Sequence, residues 1–152
     1  MEENLMTEKN LDLAERIRET FDCRRQDIRS YSPLALAFVG DGVYELIIRT
    51  VEALKGNRSS ESLHHDTVRY VKADAQARIA EVIQEKLTED ERSVYRRGRN
   101  AKPHTTPKGA VPSDYKKATG LEALLGYLYL TGRMDRALEL TRAGIDCLEE
   151  RP

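Results

Sequence analysis

The run from Ser32 to Asn57 constrains this chain more than any other segment. Ser32-Pro33 is a helix start signal, with Ser as the N-cap and Pro at the first helical position. Leu34 to Leu54 follows as a strongly apolar stretch of helical period, and Gly56-Asn57 stops it. A helix this long and this apolar must be covered by other elements. No segment of the chain offers period-2 alternation over a strand's length, so those elements are helices too.

The remaining helices read in order. Glu8 to Thr20 is a short amphipathic helix, and Ser59 or Ser60 caps another that runs through His64. Val71 to Leu87 is a longer one, rich in Ala at 73, 75, 77 and 80. Thr88-Glu89-Asp90-Glu91 resembles a capping box that opens a further short helix. Gly98 to Pro112, with its Gly, Pro and Lys or Arg, reads as a loop. Ser113 caps a long helix to Leu130, and Met134 to Leu148 is a final amphipathic helix. The expected fold is all-α, with six or seven helices in one domain spanning residues 1–152.

Charge is where an average misleads. The chain of 152 residues has a formal net charge of −1, which suggests no affinity for nucleic acid. Yet Arg92 to Lys117 holds eight Lys or Arg and one acid, Asp114, a local +7 against −8 for the rest. Arg96, Arg97, Arg99, Lys102 and Lys108 crowd a flexible-looking segment able to follow a phosphate backbone, with His104 among them. Lys116 and Lys117 open the next helix. Only Tyr95 and Tyr115 flank the segment, too few rings for a single-strand stacking platform, so a duplex read by phosphate and shape is the expected partner.

Two acids interrupt apolar faces. Leu34, Phe38, Asp41, Glu45 and Ile48 share a stripe, placing Asp41 among residues expected to face the interior. The same spacing also fits a surface acid beside a helix kink. Tyr115, Ala118, Thr119, Glu122, Leu125 and Tyr129 form a second stripe, broken by Glu122. Buried acids are costly unless paired or bound to a cation. Two facing carboxylates suit Mg²⁺, which prefers oxygen ligands and keeps waters that substrate phosphate can replace. Glycines flank both acids and leave room beside the carboxylates.

Other chemistries find no support in the residues. Adjacent His64 and His65 point in different directions on a helix, and Tyr44, Tyr127 and Tyr129 read as core or interface aromatics. Cys23 and Cys147 have no partners at metal-ligand spacing and make no secreted scaffold. No signal peptide or membrane-spanning run is visible, so a reducing cytoplasm is expected.

The segments Leu36-Ala37-Phe38-Val39-Gly40-Asp41-Gly42-Val43 and Ala118-Thr119-Gly120-Leu121-Glu122-Ala123-Leu124-Leu125-Gly126 resemble the two acidic helices of the ribonuclease III family. With the Tyr31-Ser32-Pro33-Leu34 opening and the basic loop, the chain is similar to its small bacterial branch, Mini-ribonuclease III. The resemblance implies an Mg²⁺-dependent endoribonuclease, with Mn²⁺ a possible substitute, that cuts double-stranded RNA to 5′-phosphate and 3′-hydroxyl ends. It implies a homodimer, a role in maturing large-subunit ribosomal RNA precursors, and Asp41 and Glu122 as catalytic and metal-site acids. Ala37 and Thr119 stand where larger relatives carry further acids, which leaves open a non-catalytic duplex-RNA-binding or ribosome-assembly role on a decayed nuclease fold. With no room expected for a separate RNA-binding domain, duplex contacts fall to Arg96, Arg97, Arg99, Lys102, His104, Lys108, Lys116 and Lys117.

Overall fold

The computed structural model describes residues 12–102, 109 and 111–150. Seven α-helices are present among them: α1 (Leu13–Thr20), α2 (Pro33–Leu54), α3 (Ser60–Val71), α4 (Ala73–Ile83), α5 (Glu89–Asn100), α6 (Pro112–Leu130) and α7 (Met134–Glu149). Short 3-10 turns at Ile28–Ser30 and Gln84–Lys86 complete the order. No described helix is long and apolar enough to cross a membrane.

The caps that start these helices are local chemistry. Ser32 accepts from the Ala35 amide at 3.1 Å ahead of Pro33, whose fixed φ suits a first helical turn. Ser59 caps α3, and Thr88 and Glu91 form a reciprocal capping box on α5. Some boundaries differ from the sequence expectation. α3 continues past His64 to Val71, because Thr67 and Tyr70 supply a buried face one turn further on. α4 starts only at Ala73, since the extended conformation of Lys72 turns the chain between two helices without Gly or Pro. α6 begins at Pro112, with Val111 as N-cap and Ser113 already inside the helix. α5 persists to Asn100, so Arg96, Arg97 and Arg99 stand on a helix and not in a loop. The part of the Glu8–Thr20 helix that precedes Asp12 lies outside the described residues.

α6 is the centre of the domain. It packs against α2, α5, α4 and α7, and Leu121, Leu124, Leu125 and Leu128 on it are all but inaccessible to solvent. A helix walled on several sides is apolar all round beyond its first turns, unlike a surface helix with one apolar stripe. Tyr44 and Ile48 of α2, Ile79 and Ile83 of α4, and Leu140 of α7 fill the spaces between. Truncating one such leucine to alanine costs about 2–5 kcal/mol. α5 is tied to α7 by a buried ion pair: Glu91, 1% exposed, accepts from Arg136 Nε and Nη2 at 2.9 Å each.

Candidate active site

The helices that carry the two acids meet backbone to backbone. A Cβ placed on Gly40 of α2 would lie 1.6 Å from the carbonyl oxygen of Glu122 on α6, and one on Gly126 would lie 2.0 Å from that of Leu36. Only hydrogen side chains allow the two helices to cross at this separation. Asp41 follows Gly40 directly, and Glu122 lies one turn before Gly126. The crossing therefore brings their side chains together. Gly42, by contrast, has open space beside it.

Asp41 is exposed, which corrects the expectation that it faces the interior. The buried face of α2 is Leu36, Ala37, Gly40, Val43, Tyr44, Ile47, Ile48 and Glu52. Successive residues on a helix are about 100° apart, so the residue after the crossing glycine falls on the rim of the contact. Phe38 of the same proposed stripe is 82% exposed, while Leu34 and Glu45 are partly buried. Ile48 alone of that stripe is fully inside, with 1% exposure.

Glu122 is half-buried and its carboxyl meets that of Asp41. Burial first, then the hydrogen bond and the charge of Asp41, push its pKa up to about 9. At neutral pH the pair thus holds a proton that two separate carboxylates in water would not. Two oxygen donors facing across a solvent-accessible rim match a hard divalent cation, whose charge would take over the role of that proton. Among the described residues no group of three or more His, Cys, Asp or Glu side chains is placed to hold a metal ion, so the acidic set at this rim is the pair.

Neighbouring positions explain why the set is small. Ala37, 7% exposed, packs with Leu36, Val94 and Ala123. Thr119, 8% exposed, donates its hydroxyl to the Tyr115 carbonyl of its own helix at 3.0 Å. Glu45 accepts from Arg49 at 2.9 Å along α2. Tyr44 is a core residue that donates to the Tyr70 carbonyl, and Tyr127 and Tyr129 pack against the core from its edge. His64 and His65 are exposed, the latter beside Asp66.

The basic residues gather at the end of α5 and the start of α6. Arg96 and Arg97 are exposed, Arg99 lies over the Tyr95 ring at 6.0 Å, and Lys102 is exposed just past the helix. Lys116 is exposed, whereas Lys117 pairs with Glu81 of α4. Lys116 and Lys117 precede Glu122 by roughly 8–9 Å of helix rise, so positive charge and the acid pair share one side of α6's first half only in part. His104 and Lys108 lie outside the described residues. The sequence singles out both acids, and the structure brings their side chains together; the pattern alone does not show Gly40 and Gly126 as a helix crossing. The available signal was a glycine beside an acid on each of the two most apolar helices.

Comparison with known proteins places this arrangement. Residues 34–133 match the Ribonuclease III domain family. A Mini-ribonuclease 3 from Thermoanaerobacter sp. (strain X514) is 47% identical over 83% of this chain and 89% of its own length. One from Clostridium tetani is 42% identical over 83% and 84%. The crystal structure of a Fusobacterium nucleatum protein superposes with a TM-score of 0.72 at 33% identity, covering 80% of this chain and 98% of that one. With both acidic helices inside the matched span and the relatives aligned along most of their length, the chain belongs to the ribonuclease III family, in its Mini-ribonuclease III branch.

Proposed function

We propose that this protein is an Mg²⁺-dependent endoribonuclease of double-stranded RNA, with Mn²⁺ able to substitute, in which Asp41 and Glu122 hold the cation and form the catalytic pair. The observation that carries the reading is the contact between these carboxylates, with Glu122 raised to about 9 by burial and by Asp41. A bound cation supplies Lewis-acid activation of water and charge stabilisation at the scissile phosphate. Asp41 contributes an exposed carboxylate to which substrate has access, and Glu122 contributes one anchored in the core helix. The Gly40–Gly126 crossing holds the two in register. Cleavage leaves 5′-phosphate and 3′-hydroxyl ends.

Arg96, Arg97, Arg99, Lys102, Lys116 and Lys117 bind the duplex backbone in this reading, together with His104 and Lys108. Phosphate contacts of this kind give affinity and register without reading base sequence. The protein works as a homodimer in the cytoplasm, as a single catalytic domain. Support for the dimer comes from Phe38, a large ring 82% exposed one turn before Asp41, which a second copy would cover. The substrate is a large-subunit ribosomal RNA precursor.

The deciding experiment is cleavage of a defined duplex precursor by parent and Glu122→Gln protein, with Mg²⁺ or EDTA. Metal-dependent products from the parent and none from the folded variant are expected. Cleavage by Glu122→Gln at the parent rate removes Glu122 from the catalytic pair. Binding without products from the parent supports the non-catalytic alternative instead.

A further inference from the structure

A cavity of about 540 Å³ lies at the corner where α3 gives way to α4. It is separate from the acid pair: Lys55, which caps the C-terminus of α2, stands fourteen residues after Asp41, about 21 Å further along the helix direction. Its charged lining is Lys55, Arg69, Lys72, Arg78, Asp74 and Glu149, with Tyr70 and Leu148 among its less polar walls.

The two anions there are already engaged. Asp74 accepts from the Ala75 amide at 2.9 Å, and Glu149 accepts from the Tyr70 hydroxyl at 2.8 Å. The cations are not matched in the same way. Lys55 pairs with Glu52 and Arg69 lies over the Tyr70 ring at 5.8 Å. Lys72 and Arg78, both exposed, make no ion pair among the described residues. This concentration of positive charge falls in the part of the chain that carries −8 outside Arg92–Lys117. The C-terminal carbonyls of α2 and α3 account for Lys55, Arg69 and Lys72 as dipole partners. They do not account for Arg78, which sits mid-way along α4. The N-cap of α4, Lys72, makes no capping bond of its own, and Asp74 answers one of the first-turn amides.

We propose that this cavity binds a phosphate group, held by the Arg78 and Arg69 guanidinium forks and the Lys72 ammonium. The volume, within the ordinary range for ligand pockets, admits a phosphate with its attached sugar. Two sources share this chemistry. One is a free nucleotide. The other is a strand of the bound duplex, since Glu81, the partner of Lys117, lies one turn beyond Arg78 on α4. The inference does not depend on the cleavage reading, as neither Asp41 nor Glu122 takes part.

The test titrates the whole protein, without divalent metal, with inorganic pyrophosphate and with AMP, followed by amide NMR. Shifts confined to residues 69–78 and to the other walls, Lys55 and 148–149, are expected. The double variant Lys72→Gln/Arg78→Gln should bind pyrophosphate about tenfold or more weakly at an unchanged Tm. Glu122→Gln should bind it like the parent, whatever happens to cleavage. Affinity for two RNA duplexes, one just long enough to be cut and one twice that length, then identifies the source. A loss in the double variant confined to the longer duplex assigns the site to RNA backbone, and equal affinities assign it to free phosphate. No shifts at 69–78, or equal pyrophosphate affinity in parent and variant, overturns the proposal. So does a variant that loses stability but not binding, because the cations would then serve only the helix ends.

Discussion

Gly40 and Glu122 meet main chain to main chain: a Cβ on the glycine would stand 1.6 Å from the glutamate's carbonyl oxygen. The separation of the acid pair is therefore a property of two backbones. Gly40→Ala should force the helices apart and lower stability by about 3 kcal/mol or more, as overpacking of a closed contact does. Gly42→Ala, at a glycine with open space, should keep the fold and gain slightly from helix propensity. Thermal unfolding of the two variants side by side checks this, and equal Tm values would contradict it.

Glu122 gives a pH dependence of defined sign. Its folded pKa, about 9, lies above the ordinary 4.5, so the stability it contributes is fully present below pH 4.5 and is lost as pH rises through 9. Metal-free Glu122→Gln, which keeps the neutral form at every pH, should melt higher than the parent at pH 8 and nearly level with it at pH 4.5. Each kcal/mol corresponds to about 2–4 °C at this chain length. Saturating Mg²⁺ should raise the parent's Tm at pH 8 and leave the variant's unchanged. A variant that melts below the parent at pH 8 without metal would refute the assignment.

The pair Glu91–Arg136 predicts a loss at the other end of the scale. Arg136 holds the Glu91 carboxyl below its usual range, so this pair stabilises at pH values above the ordinary carboxylate range and weakens as acid titrates it. Arg136→Ala leaves a carboxylate that is 1% exposed without its cation and should cost about 3–5 kcal/mol. Glu91→Gln/Arg136→Met should recover much of that. Urea midpoints of the single and double variants give the answer.

Arg96 and Arg97 are exposed and make no ion pair among the described residues, whereas Lys117 is engaged with Glu81. Neutralising the two arginines should weaken duplex binding and flatten its salt dependence by roughly 0.9 per lost phosphate contact. Lys117→Ala should have a smaller effect. Binding isotherms across a salt series measure both slopes, and an unchanged slope for the arginine variant would exclude them from the interface.

Phe38→Asp tests the dimer. An isolated ring 82% exposed has nothing to lose within the protomer, so the variant should stay folded and become monomeric by sedimentation. A Phe38→Asp protein that remains dimeric would place the interface elsewhere.

Much of this was legible because the signals were local. Ser32-Pro33 and the Thr88–Glu91 box start helices where the residues alone place them, since capping needs only neighbours three residues apart. Asp41 and Glu122 stood out as acids in apolar runs. What the pattern could not show was orientation. An apolar stripe says that a face is covered, not by which molecule, so Phe38 read as core although it points outward. The turn at Lys72 carries no Gly or Pro, so nothing local marks the boundary between α3 and α4. α5 ran on past Gly98 because that residue packs against Ala123 and Gly120, a tertiary contact invisible to local propensity.

The position of α6 in the chain also shapes how the protein is made. Helices α2, α4 and α5 all rest on residues 112–130, which the ribosome delivers after every one of them. Until then, their apolar faces have only one another. The core therefore closes only once α6 has emerged into the space the earlier helices leave for it.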